Sequence, residues 1–194
     1  MKGPRLIFVA KPSPEVAAAM WRAVARNGLD SSTLSPQDNW HQTLSDRYGD
    51  TPEVRQKMLR AGARVRAQAC TLVLNRIRDG VHKEQGKNTI HWSFRARGRP
   101  HCFDALLVAV RQALYEEGLA TETGHTPHST ISYWAPTRLG PTRMDTIAWT
   151  LDELLLVVGG NGKSYSYSYS YETIGRWPLQ PVPPDPSNTQ LRLF

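Results

Sequence analysis

The chain reads as an α+β fold of two similar lobes, on three observations. Strand-like and helical runs come twice in strand–helix–strand order, once in each half of the 194 residues. They do not alternate in the regular way of a doubly wound sheet. Each half also carries one His-x-Thr-aliphatic string inside a strand-like run: His41-Gln42-Thr43-Leu44 and His128-Ser129-Thr130-Ile131. A single bilobal domain over residues 1–179 is expected, with residues 180–194 as a Pro-rich tail.

Residues 6–10 form a short apolar run that reads as the opening strand. Ser13-Pro14-Glu15 then opens a helix: Ser13 caps it, Pro14 suits the first position, and Glu15 faces the positive end of the dipole. Thr51-Pro52-Glu53 repeats this signature. Val54, Met58, Ala61 and Val65 follow at helical spacing, with Arg55, Lys57, Arg60 and Arg64 as a solvated face. Residues 71–77 read as a buried strand, 79–87 as a loop marked by Asp79-Gly80 and Gly86, and 88–96 as a strand. Phe103, Leu106, Leu107, Val110 and Leu114 make the core stripe of a third helix that Gly118 ends. Residues 146–150 and 153–158 are strand-like, and Gly159-Gly160-Asn161-Gly162 signals a turn. Residues 164–171 alternate Ser and Tyr at the strand period, which predicts an edge strand or hairpin arm; a low-complexity insert is the other reading. The tail, with Pro181, Pro183, Pro184 and Pro186, has little to bury and is expected to be extended or disordered.

Length allows one substantial core. Apolar content of 40% and charged content of 21% are those of a soluble globule. The formal charge of +7 suits an anionic partner such as RNA or a phosphorylated small molecule, although many basic proteins bind no nucleic acid. Cys70 and Cys102 are the only cysteines; unclustered, they argue against a zinc site or a disulfide scaffold and are expected to be reduced. The apolar run after Arg5 is too short for a signal peptide, and none approaches the ~18 residues of a membrane span. A soluble, cytoplasmic monomer is expected. The glycines at 159, 160 and 162 lack the Lys-Ser/Thr ending before a helix that a phosphate loop requires.

The two His strings carry the chemistry. Side chains two apart on a strand point the same way, so His41 shares a face with Thr43, and His128 with Thr130. Side by side, two such strands line a cleft with two imidazoles and two hydroxyls. The imidazoles supply a base and an acid near pH 7, and the hydroxyls of Thr43 and Thr130 can hold phosphate oxygens. No metal and no cofactor is required by this set. A bare His-x-Ser/Thr is a weak signal, and a third match at His91-Trp92-Ser93 is set aside as structural.

With these motifs the chain resembles the 2H phosphoesterase superfamily, in particular its bacterial 2′-5′ RNA ligase / RNA 2′,3′-cyclic phosphodiesterase group. The likeness spans roughly residues 4–179. Arg5-Leu6-Ile7-Phe8-Val9-Ala10 resembles the group's opening strand, and Leu34-Ser35-Pro36-Gln37-Asp38-Asn39-Trp40-His41 its approach to the first motif. Gly49 falls where that family often has a Gly. Tyr171-Glu172-Thr173-Ile174-Gly175-Arg176-Trp177-Pro178-Leu179 resembles its closing strand. The resemblance implies mainly antiparallel sheets facing a central cleft. It also implies metal-independent opening of 2′,3′-cyclic phosphate, at RNA ends or on nucleotides, to a 2′-phosphate, with reverse 2′-5′ RNA ligation. His41 and His128 are then catalytic, and Thr43 and Thr130 phosphate-binding. Rival readings are a relative acting on another small nucleotide, such as a cyclic ADP-ribose phosphate or a 2′-5′ oligoadenylate, and a non-catalytic RNA-binding module.

Two positions depart from the family pattern. Tyr133 stands where an Arg commonly follows the second motif, so a phosphate clamp is missing or is replaced by a nearby cation such as Arg47 or Arg138. Gln42 replaces an apolar spacer. Trp40, Tyr133 and Trp134 can stack on a base or pack in the core. Arg95, Arg97 and Arg99 can track a phosphate backbone or sit at a solvated strand end. His125 is a candidate supporting residue beside the second motif. The last residues, Gln190-Leu191-Arg192-Leu193-Phe194, resemble the Gln-Leu-x-Leu-Phe peptide by which bacterial proteins dock on the DNA sliding clamp; Arg192 departs from it. Folding back on the protein's own sheet, or a chance string, is the rival reading.

Overall fold

The computed structural model describes residues 3–84, 87–121, 124–140, 142–159 and 170–182. Two sheets organise them, and all strand pairs within the sheets are antiparallel. The first sheet has the order β2 (Gln42–Thr43), β1 (Arg5–Ala10), β8 (Glu153–Gly159), β9 (Glu172–Pro178), with β3 (Tyr48–Gly49) also on β1. The second has the order β6 (His128–Ser132), β5 (Lys87–Ala96), β4 (Cys70–Glu84), β7 (Thr142–Leu151). The chain therefore leaves the first sheet after β3, builds the second, and returns to close the first with β8 and β9. Each His-x-Thr string lies on an edge strand, one in each sheet.

The helix starts are those the caps predict. Ser13 Oγ accepts from Val16 N–H at the head of α1 (Pro14–Arg26), and Thr51 Oγ1 from Val54 N–H at the head of α2 (Pro52–Arg64). In α3 (His101–Glu116) the stripe Phe103, Leu106, Leu107, Val110 and Leu114 is buried, and Gly118 leaves the helix at φ +70°. The basic face of α2 is not simply solvated: Arg60 and Arg64 both pair with Glu117 beyond the end of α3.

Each sheet has two distinct faces. On β1, Leu6, Phe8 and Ala10 enter the main core. Ile7 and Val9 point the other way and join Leu155 and Val157 in a small apolar cluster, against which Tyr171 packs. Cross-strand partners share a face, so Thr43, opposite Val9, stands over that cluster. In the second sheet Leu72, Leu74, Ile77, Phe94 and Ile131 face the core.

Several expectations are corrected. Residues 79–84 continue β4 rather than forming a loop, and pair with β5 down to Glu84 opposite Lys87. Gly80 belongs to this ladder because the His91 ring lies where its Cβ would be, 2.3 Å from the nearest ring atom. Cys70 and Cys102 are not free thiols. The start of β4 lies against the first turn of α3 with Cα atoms 5.4 Å apart, and the two are joined as a disulfide. Gln180 is not loose tail: it bonds Ala67 and Ala69. The turn at 160–162, the Ser/Tyr run up to 169, and the tail from 183 with its clamp-like peptide lie outside the described residues.

Trp177 of β9 lies between Gly175 and Gly62 of α2, and edge-on to Phe8. A Cβ on Gly62 would come within 2.5 Å of its ring. Gly62→Ala is therefore expected to lower unfolding free energy by ~1–3 kcal/mol through overpacking, despite alanine's better helix propensity. Denaturant titration checks this.

Candidate active site

The approach to the first motif is set by burial of Trp40. Its ring is fully buried, stacks on Trp21 with centroids 6.1 Å apart, and donates Nε1–H to the Ser35 carbonyl. This leaves His41 at the mouth of β2, only 6% exposed. On the next two residues, Gln42 faces Ala10 and the interior while Thr43 faces Val9. In β6 the alternation repeats: His128 and Thr130 are half-buried on one face, and Ser129 and Ile131 are buried on the other.

The two imidazoles are oriented in the same way. His41 Nδ1 lies 2.6 Å from the Asn39 carbonyl oxygen, and His128 Nδ1 lies 2.7 Å from that of Thr126. Each ring thus donates its Nδ1–H to the carbonyl two residues before it. That fixes the tautomer and leaves Nε2 as the atom that can take up a proton.

Gln42 joins the two strings. Its Oε1 accepts the His128 backbone N–H at 2.7 Å, and its Nε2 donates to the carbonyls of Thr43 at 2.8 Å and Thr126 at 3.2 Å. Thr126 O is also the acceptor that orients His128. Further along, Ser35 N–H bonds Ile131 O and the Ser132 hydroxyl bonds Thr33 O. The approach to the first motif is therefore stitched to the strand of the second.

Burial pushes His41 down to about 4, the Asn39 carbonyl partly opposes this, and the positive charges of Arg47, His128 and Lys11 add to it. His128 is also lowered, by burial first and then by Arg95, His91 and His125, against the Thr126 carbonyl. Both shifts favour the neutral ring in the free protein. Their surroundings differ. His41 stands by the apolar cluster with the Tyr171 ring edge-on at 5.1 Å, whereas His128 stands opposite Arg95 on a cationic sheet face.

The other candidates divide. Arg47 is close enough for its charge to act on His41. Tyr133 is half-buried and Trp134 is 48% exposed, directly after β6. Trp40 is core and not available to a base. Arg138 pairs with Asp79. Arg95, Arg97 and Arg99 do not act as a run: Arg95 opposes His128, while Arg99 pairs with Asp104 and lies over Phe103. His125 bonds the Ser45 backbone, and its charge acts on His128. Among the described residues no three His, Cys, Asp or Glu side chains converge as a metal cluster would.

Sequence reasoning missed Lys11, Tyr171 and the interlocking role of Gln42. The signal for Gln42 was its polarity at a position that strand alternation turns inward. Gln42→Met keeps the shape and leaves the His128 N–H and two carbonyls without these partners in a buried place. It is expected to cost ~1–3 kcal/mol in unfolding free energy and to raise the exchange rate of the His128 amide, read by denaturation and amide exchange.

No protein-family model and no curated protein matches the chain. Solved structures do. One is apo LigT of E. coli, at 20% identity and TM-score 0.63, covering 93% of this chain and 99% of that one. Another is TT0787 of Thermus thermophilus, at 21% identity and TM-score 0.65, covering 92% and 100%. A third, described as a phosphoesterase, aligns at 19% identity and TM-score 0.64 over 92% and 99%. The two-sheet α+β architecture, with one His-x-Thr string on an edge strand of each sheet, is thus built on the fold shared by the LigT and phosphoesterase structures.

Proposed function

We propose that the protein is a 2H-type phosphodiesterase that hydrolyses 2′,3′-cyclic phosphates, at RNA ends or on nucleotides, to 2′-phosphates. The observation that carries this reading is the matched pair of imidazoles. Each is locked by an Nδ1–H bond to a backbone carbonyl, each has Nε2 left for proton transfer, and each has a Thr two residues on. A binding module needs no such pair. Structures of E. coli LigT with phosphate and with 3′-AMP lend support from proteins of the same fold.

In the proposed reaction a water oxygen bonds to phosphorus while its proton passes to Nε2 of one imidazole. The P–O3′ bond breaks, and O3′ leaves with the proton carried on Nε2 of the other. Thr43 and Thr130 hydroxyls donate to the non-bridging oxygens as charge develops on them. The bound phosphate's negative charge favours the protonated form that the acid requires. With a 5′-hydroxyl in place of water the same groups keep their roles: the 5′-oxygen bonds to phosphorus as O3′ leaves, joining RNA ends through a 2′-5′ bond without ATP, and only the reverse, in which O3′ attacks and O5′ leaves, exchanges acid and base. The choice of O3′ as leaving group comes with the family resemblance.

His41→Ala and His128→Ala are each expected to lower kcat/KM on a nucleoside 2′,3′-cyclic phosphate by at least ~10²-fold, with smaller losses for Thr43→Ala and Thr130→Ala. Full activity in both His variants would contradict the assignment.

The pH profile follows from the two shifts. The base works only above its pKa and the acid only below its own, so kcat/KM is a bell centred midway between the two values. Both are lowered in the free protein, so the centre is expected below the ordinary imidazole value of about 6.5. The bell is expected to persist in excess EDTA, because the two imidazoles supply both proton transfers. A centre above pH 7, or turnover lost in chelator and restored by a divalent ion, would count against this.

A further inference from the structure

We propose that the cleft face of β4 and β5 carries a second anion subsite, formed by Arg76, Arg78 and Arg95, which holds a further phosphate on the 5′ side of the nucleotide undergoing reaction. This deepens the function proposed above and rests on it for the identity of the first phosphate.

The register places these side chains. His128 of β6 pairs with Arg95 of β5, which pairs with Arg76 of β4; in the next row Thr130 pairs with Ser93, which pairs with Arg78. Residues in a row share a face, so all three guanidinium groups lie on the face of His128 and Thr130. At a strand spacing of about 4.8 Å, β4 runs roughly 10 Å from β6, within one nucleotide's reach of the phosphate between the imidazoles.

Much of the protein's arginine charge is paired. Arg26, Arg55, Arg60, Arg64, Arg99, Arg138 and Arg176 each pair with a carboxylate. Among the described residues no carboxylate pairs with Arg76, Arg78 or Arg95. Arg76 and Arg95 are direct cross-strand partners, an arrangement that costs stability when both are cationic. Burial, then the charges of Arg78 and Arg76, hold the Arg95 guanidinium below its ordinary range. The bonds they do make are long: Arg76 Nη1 to Asn75 Oδ1 at 3.3 Å and Arg95 Nη1 to Thr126 Oγ1 at 3.4 Å. Two polar groups of the same rows are buried without a partner among the described residues, Arg76 Nε and the fully buried Ser93 Oγ, which lies between Arg78 and Thr130. A phosphate seated here removes the repulsion and takes up these donors.

Isothermal titration against three ligands tests this: adenosine 2′-monophosphate, adenosine 2′,5′-bisphosphate, and an adenylyl dinucleotide ending in a 2′-phosphate. The wild type is expected to bind one or both two-phosphate ligands at least ~10-fold more tightly than the monophosphate, as charge-assisted bonds to a second phosphate imply. Greater tightness for the dinucleotide assigns the subsite to an RNA strand, and greater tightness for the bisphosphate to a terminal phosphate of a nucleotide. Arg76→Gln with Arg78→Gln is expected to abolish the gain and leave monophosphate affinity, and turnover of a nucleoside cyclic phosphate, within about twofold. Arg78→Gln alone, at an exposed position, is expected to remove part of it. Equal affinity for all three ligands, or a gain that survives the double variant, overturns the proposal. An arginine-dependent gain without turnover leaves the subsite standing and removes the cyclic phosphodiesterase reading; turnover without the gain does the reverse.

Discussion

The site depends on one buried amide. Gln42 lies on the inward face of the first motif strand and spends its carbonyl on the His128 backbone N–H and its NH₂ on Thr43 and Thr126. Two edge strands from different sheets have no ladder bonds to each other; this side chain stands in for them. Because Thr126 O also receives the His128 Nδ1–H, the amide that sets the separation of the strands also touches the carbonyl that aims the second imidazole. The arrangement is costly to leave incomplete, since a fully buried Gln must satisfy its amide oxygen and both amide hydrogens, and here the bonds go to three backbone groups.

The two sheet faces that carry the motifs are chemically unlike. The first sheet offers an apolar patch of Ile7, Val9, Leu155 and Val157 with Tyr171 against it, and this is the environment that makes the protonated form of His41 costly. The second sheet offers cations and hydroxyls in rows. A cyclic phosphate ester has the same division: a weakly polar sugar face and an anionic phosphate. Burial is the largest influence on both imidazoles, and neighbouring cations add to it at each. Two chemically identical motifs thereby stand in different surroundings without any difference in how their rings are held.

Much of this was legible in the sequence. Strand alternation placed His41 with Thr43 and His128 with Thr130, and the Ser13 and Thr51 caps marked two helix starts, because these rules act within a few residues of the chain. What escaped depends on distant partners. The Asp79-Gly80 pair reads as a turn, yet Gly80 serves a strand because the His91 ring covers it. Cys70 and Cys102 looked unrelated because nothing local says that the start of β4 meets α3. The place of Trp40 next to His41 left a stacking platform and core packing both open, and its indole fills the core. Arg76 and Arg78 drew no notice because the significance of a strand arginine depends on the residues opposite it. Gln42 reads in the sequence only as a polar residue in place of an apolar spacer, whereas its amide bonds across to the strand of the second motif.

The proposed reaction seats one phosphate between two imidazoles held in the same tautomer. Nitrogen-15 NMR of histidine-labelled protein, with and without adenosine 2′-monophosphate, tests it most directly. His41 and His128 are both expected to carry their proton on Nδ1 in the free protein at pH 7, and Nε2 of both to shift together on titration with the nucleotide. A proton on Nε2 of either ring in the free protein, or a response confined to one of them, would contradict it.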